Sequence, residues 1–255
     1  MEHTTLLSTV SKAYQSILGN NLCGIYVHGS IAFGCFCWDT SDIDFLVVVY
    51  EDVALGQKEA MIRTLLELTS AAPPKGFEMS VVLKKDCEDF SYPTPFLLHF
   101  SNAHLKRAMH DLTAYCQTMN GTDADLAAHF TVTKKVGVFL VGKPIAQVFG
   151  DVPKADYLAS IKADIENAED DILGSPIYII LNLCRVLAYM KDGLILSKAE
   201  GGKWGAANLP QKYAALIQQA LDCYVSGLQM TVTVTSSRQF ASFMKNMIFH
   251  DVQSA

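Results

Sequence analysis

A chain of 255 residues, half of them hydrophobic, is long enough to build one large core or two smaller ones. Its formal net charge is −6 and its Lys and Arg residues form no run or patch, which argues against tight binding to a nucleic-acid backbone. No stretch approaches the roughly 18 unbroken apolar residues of a membrane-spanning helix. Seven cysteines, odd in number and without a Cys-x-x-Cys pair, argue against a disulfide framework or a structural zinc site. The first residues carry no basic-then-apolar signal pattern, so a cytoplasmic protein without a membrane partner is expected.

In chain order, apolar residues recur every three or four positions from Thr5 to Leu18, which predicts a helix. Leu22–Gly29 is a short apolar run closed by glycine and reads as a strand. Ile43–Tyr50 is β-branched and almost continuously apolar, the pattern of a central strand buried on both faces. A helix is expected over Leu55–Ser70, a turn at Pro73–Gly76 and a third strand at Phe77–Leu83. This alternation predicts an α/β domain over residues 1–152, with a mixed sheet and flanking helices. Gly, Asp and Pro cluster at 150–153, and beyond them the pattern turns helical: Lys154–Ile172, Pro176–Lys191, Gln211–Gln229 and Ser236–His250, with Gly193, Gly201, Gly202 and Pro210 as punctuation. An all-α bundle over 153–255 is the expectation. Thr231–Thr235, with sequence TVTVT, looks strand-like but is short enough to be a link between helices.

The chemistry concentrates between His28 and Val49. Asp42 and Asp44 fall two residues apart at the start of the apolar strand, so both point to one face of it. Two like charges held close repel, and a hard divalent cation such as magnesium relieves that repulsion. Upstream, Gly29 and Ser30 follow a strand and open a helix start. Glycine admits close approach of a phosphate, helix-start amides favour anions, and the serine hydroxyl adds a donor. A nucleotide whose phosphates are bridged by metal fits both halves. Glu78 stands on the third strand, on the face opposite Phe77, Met79 and Val81; a solitary acid in an apolar strand needs a partner or a task.

The segment GSIAFGCFCWDTSDIDFLVVV resembles the Gly-Ser…Asp-x-Asp signature of the polymerase-β-like nucleotidyltransferases. Within these the chain resembles the aminoglycoside adenylyltransferases of the streptomycin/spectinomycin type, through GFEMSVV, through DLAAHFTVTKKVGVFLVG and through LNLCRVLAYMKDGLILSKAEGGKWGAANLP. The resemblance implies a nucleotidyltransferase domain followed by a helical substrate- and nucleotide-binding domain. It assigns Gly29, Ser30 and Ser41 to the triphosphate, and Asp42 and Asp44, with Glu78, to two magnesium ions. Glu78 is also the implied general base, and Arg185, Lys198 and Tyr224 are the implied nucleotide contacts. ATP is the implied co-substrate, and the implied acceptor is a cationic small molecule with a hydroxyl. A monomer is expected, with a dimer left open. Asp125 matches an acid of the family and stands where a helix cap would; His99 and His104 read as pocket-lining or structural.

The chain also departs from the pattern. The family's Trp and acidic residues before the Arg185 helix are missing, and Ser175, Pro176 and Tyr178 stand there instead. Asp164, Glu166, Glu169, Asp170 and Asp171 lie nearby, either as a cleft for an amine-rich substrate or, the preferred reading, as the solvated face of a helix. The implied activity is transfer of AMP from ATP to a hydroxyl of an aminoglycoside or aminocyclitol, with release of pyrophosphate. Alternatives on the same fold are transfer to a lincosamide, a nucleotide or a protein hydroxyl, and a non-catalytic, antitoxin-like nucleotide-binding module.

Overall fold

A computed structural model describes residues 2–250, which fall into two compact units, one up to Pro153 and the other from Lys154 on. The first contains α1 (His3–Leu18), β1 (Leu22–Val27), α2 (Gly29–Ala32), β2 (Ile43–Val49), α3 (Leu55–Leu68), β3 (Phe77–Leu83) and α4 (Lys84–Glu88). It continues with β4 (Thr94–Phe96), β5 (Leu98–Phe100), α5 (Leu105–His110), α6 (Leu112–Thr118), β6 (Gly121–Asp123), α7 (Leu126–Val136) and β7 (Val138–Gly142). The second unit contains α8 (Lys154–Ala163), α9 (Ala168–Gly174), α10 (Pro176–Asp192), α11 (Lys198–Asn208), α12 (Ala214–Ser226) and α13 (Val234–Phe249).

Five strands form one mixed sheet in the order β5-β3-β2-β1-β7. Only β2 and β3 run parallel, joined through α3 as a parallel pair requires. The expected central strand is central, and alternation along it feeds two cores. Phe45, Val47 and Val49 pack with Phe77, Met79 and Val81 against α1 and α3, where Leu6, Val10, Tyr14, Met61 and Leu65 are buried. Leu46, Val48 and Val82 face the other way, onto Leu126 and Phe130 of α7 and onto Phe149. Asp44 and Glu78 have the parity of this second face, at the end of the sheet where the apolar cover stops. The short strands β4 and β6 form a separate antiparallel ribbon. That ribbon and β7 have too few residues to carry a periodic signal.

In the helical unit α10 is the hub, with Ile180, Leu181, Leu183, Cys184 and Leu187 fully or almost fully buried. Proline at its start and Gly193 in the left-handed region at its end (φ 65°) set its limits. The sequence reading needs two corrections here. The helix expected over Lys154–Ile172 is two helices, broken by a turn at 164–167. TVTVT is a link between helices, as its shortness allowed: residues 231–233 are irregular and Val234 already begins α13. With only helices around it, a strand there has no ladder partner for its backbone groups. Finally, Gly201 and Gly202 do not interrupt a chain of helices but lie inside one, α11. An added Cβ would meet Arg185 of α10 at Gly201, and Leu181 of α10 and Leu221 of α12 at Gly202. Helix α11 starts at a capping box: the Glu200 amide donates to Ser197 Oγ (3.2 Å) and the Ser197 amide to Glu200 Oε2 (2.8 Å). No helix among the described residues is long and apolar enough to cross a membrane.

Candidate active site

The parallel register sets Asp44 directly beside Glu78. Asp42, two residues upstream, shares their side, and one carboxylate oxygen from each of Asp42, Asp44 and Glu78 lies within 4.8 Å of the others. Among the described residues this is the one group of three or more metal-type side chains close enough to hold an ion. Three acids at that spacing repel in the absence of a cation, and an all-oxygen set suits a hard ion such as magnesium. Burial raises the Glu78 carboxyl above the usual range; nearby His129 counters this, while Asp42, Asp125 and Asp123 add to it.

Gly29 and Ser30 close the other side. The His28 amide donates to the Asp44 carbonyl (3.1 Å), which ties the end of β1 to the start of β2. The chain then turns through Gly29 at φ +59°, a conformation that favours glycine, and an added Cβ would fall on the Asp44 carboxylate. Ser30 Oγ is buried and has no protein partner. A buried hydroxyl left unpaired beside three carboxylates fits a phosphate-bearing ligand bridged by metal. Ser41 is buried and its hydroxyl accepts from the Cys37 amide (3.1 Å), closing the Cys37–Ser41 loop that leads into the acidic pair.

Two residues flanking the site had not been singled out in the sequence. The His28 ring lies against that of His129 of α7, with centroids 4.5 Å apart. Burial and that neighbour hold His28 well below the usual imidazole range. A pair separated by a hundred residues leaves no local signal. His99 Nδ1 is 3.0 Å from Ser80 Oγ, and His99 and His104 meet edge to face at 5.6 Å. They serve the packing around β3 and β5. Asp125 occupies the cap position of α7 but makes no side-chain cap bond; its amide donates to Asp123 Oδ1 (2.9 Å).

Arg185, Lys198 and Tyr224 belong to the helical unit. Arg185 donates through Nε to the Leu196 carbonyl (2.8 Å) and through a terminal nitrogen to Asn182 Oδ1 (2.9 Å). Lys198, the first residue of α11, lies 4.6 Å from the centre of the Tyr178 ring. A cation at a helix N-terminus opposes the helix dipole, a cost that a bound anion offsets. Tyr224 is half-buried on α12, against the helical core. Asp164, Asp170 and Asp171 line an open cavity of about 380 Å³ with Ser175 and Tyr178. All three are exposed, as the reading of these acids as solvated expects, and Asp164 lies in the turn at 164–167 rather than on a helix.

Comparison with known proteins agrees in both units. Residues 147–249 match the family model of the aminoglycoside adenylyltransferase C-terminal domain. An aminoglycoside (3'') (9) adenylyltransferase of Shigella flexneri is 28% identical over 231 residues, 88% of this chain and 86% of that protein. A spectinomycin 9-adenylyltransferase of Enterococcus faecalis is 23% identical over 86% of each chain. The fold is that of the spectinomycin adenyltransferase from Enterococcus faecialis crystallised with ATP and spectinomycin: TM-score 0.80, 21% identity, 97% of this chain and 99% of that one. In class, then, the chain is a nucleotidyltransferase. Along most of its length it is similar to adenylyltransferases of the streptomycin/spectinomycin type.

Proposed function

We propose that the protein adenylylates a hydroxyl of an amine-bearing aminocyclitol or aminoglycoside with ATP, and so lowers the antibiotic's affinity for its target. The observation that carries this reading is the register of Asp44 with Glu78, with Asp42 within reach, next to a glycine turn and an unpartnered Ser30 hydroxyl. Asp42 and Asp44, with Glu78, would hold two magnesium ions, which when bound neutralise charge on the phosphates. The backbone at Gly29 and the hydroxyls of Ser30 and Ser41 orient the triphosphate; Arg185, Lys198 and Tyr224 are nucleotide contacts. Glu78, whose burial raises its basicity, accepts the proton of the acceptor hydroxyl. The hydroxyl oxygen bonds to the α-phosphorus as the bond to the bridging α–β oxygen breaks, and pyrophosphate leaves. Most of the acceleration comes from positioning and electrostatics. Asp170 and Asp171, on the cavity beside Tyr178, complement a cationic acceptor, and the net charge of −6 attracts one at long range.

The test is pyrophosphate release from ATP and magnesium across spectinomycin, streptomycin, other aminoglycosides and lincosamides. Release with an aminocyclitol or aminoglycoside, and loss of it in Glu78→Gln, is the expected result. Release only with a lincosamide moves the acceptor assignment. No release with any acceptor, from protein that binds ATP, leaves the non-catalytic module as the better reading.

A further inference from the structure

A polar chain in the helical unit leads from an exposed turn to Arg185. Tyr178, Asn182 and Arg185 are spaced four and three residues apart on α10, so they lie on one face. Asp164, in the turn at 164–167, uses both carboxylate oxygens on that face. Tyr178 donates its hydroxyl to Oδ1 (2.8 Å) and Asn182 donates Nδ2 to Oδ2 (2.8 Å). Asn182 is 3% exposed, so which way its amide points depends on protein partners alone. With Nδ2 taken by Asp164, Oδ1 faces Arg185 and accepts from the guanidinium at 2.9 Å. With the amide turned over, two N–H groups would confront five guanidinium donors, an arrangement with no acceptor. The same carboxylate anchors the Tyr178 phenol, whose ring lies under Lys198.

We infer that Asp164 is a positioning residue for the nucleotide: it sets the Asn182 amide, and through it the Arg185 guanidinium, and it pins the ring on which Lys198 rests. This rests on the reading of Arg185 and Lys198 as nucleotide contacts. Asp164 itself touches no phosphate; like charge would forbid it. Its place at the rim of the cavity lined by Asp170 and Asp171 makes it the one acid there with both oxygens already engaged.

Titration calorimetry of the full chain with magnesium-ATP, without acceptor, tests the inference alongside steady-state kinetics. Asp164→Ala is expected to weaken ATP binding about tenfold, the scale of a hydrogen-bonded charge losing its support, and to raise KM for ATP with kcat nearly unchanged. In an Arg185→Ala background the same substitution should cost about threefold or less, because the relay has lost its end point. Asn182→Ala cuts the relay from the other side and should reproduce the loss; unchanged ATP affinity in it overturns the inference. An equal factor with and without Arg185, accompanied by a lower Tm, assigns Asp164 a structural role only and overturns it too. If Arg185→Ala weakens ATP binding and Asp164→Ala does not, the inference fails while the nucleotide contacts stand. If neither Arg185→Ala nor Lys198→Ala changes ATP affinity, the reading beneath it fails.

Discussion

Asp42, Asp44 and Glu78 carry an electrostatic cost until a cation arrives, and that cost is measurable in the protein without substrate. Asp44→Asn removes one of the three charges while keeping the side chain's shape. The metal-free variant should therefore melt at a higher temperature than the parent, while turnover falls by about a thousandfold or more. Magnesium should raise the Tm of the parent in a concentration-dependent way and leave that of Asp44→Asn almost unmoved. A thermal shift series with magnesium and with chelator checks both; parent-like stabilisation by magnesium in Asp44→Asn would sink the metal assignment. Asp44 and Glu78 were legible in the sequence because each breaks an apolar strand pattern, and spacing two residues apart put Asp42 on the side of Asp44. That Glu78 neighbours Asp44 needs the parallel register, which local spacing does not give. The polar side chains of Tyr178 and Asn182 in the run IYIILNLCR were a readable signal of another kind: a buried Asn in an apolar helix must find partners.

At the scale of elements, α11 shows how a sequence rule misleads when read by composition. Two adjacent glycines suggest a break, yet Ser197-x-x-Glu200 is a helix-start signature just upstream, and the glycines lie within the helix it opens. Their missing side chains let α11 and α10 approach closely, so a stripe that weakens the helix locally strengthens the pair. Gly201→Ala should destabilise the protein by about 1–3 kcal/mol, since the new methyl collides with Arg185, and it should weaken ATP binding as the guanidinium is displaced. Gly56 on α3, with nothing near its would-be Cβ, is the control: Gly56→Ala should be neutral or stabilising by up to about 1 kcal/mol. Denaturant titrations of the two variants decide the matter, and equal effects would refute it. The other misread segment has the same origin: the turn at 164–167 is settled by what surrounds it rather than by its own periodicity.

For the molecule as a whole, buried imidazoles make stability depend on pH. Burial, with His104 close by, lowers His99 to about 4, and His28 is depressed as well. A lowered value means the native state binds fewer protons than the unfolded chain, so this contribution is complete above pH ~6.5 and is lost as pH falls toward 4. His99 alone accounts for about 3 kcal/mol over that window. The raised Glu78 acts in the opposite sense, favouring the native state on acidification once the carboxyl protonates. Unfolding free energy measured between pH 7 and 4 should fall with acid, and His99→Gln should flatten the slope; an unaltered slope contradicts the assignment. The division into a sheet unit and a helical unit could be read from the change of pattern along the chain, because hydrophobic period is a property of long segments. The loop connections, the β4–β6 ribbon and the histidine stack could not, because they are decided by partners far away in sequence.

Gly29 gives the corner beside Asp44 its rigidity and also its brittleness. The space a methyl group would take is already filled by Asp44, and the backbone there is turned to a conformation that other residues resist. A replacement at 29 would displace Asp44, and through the paired strands it would disturb its alignment with Glu78. Drift in acceptor preference has room on the exposed turn and rim of the helical unit, whereas this one position offers no neutral neighbours in sequence space. What holds Asp44 in place is a gap where a side chain would otherwise stand.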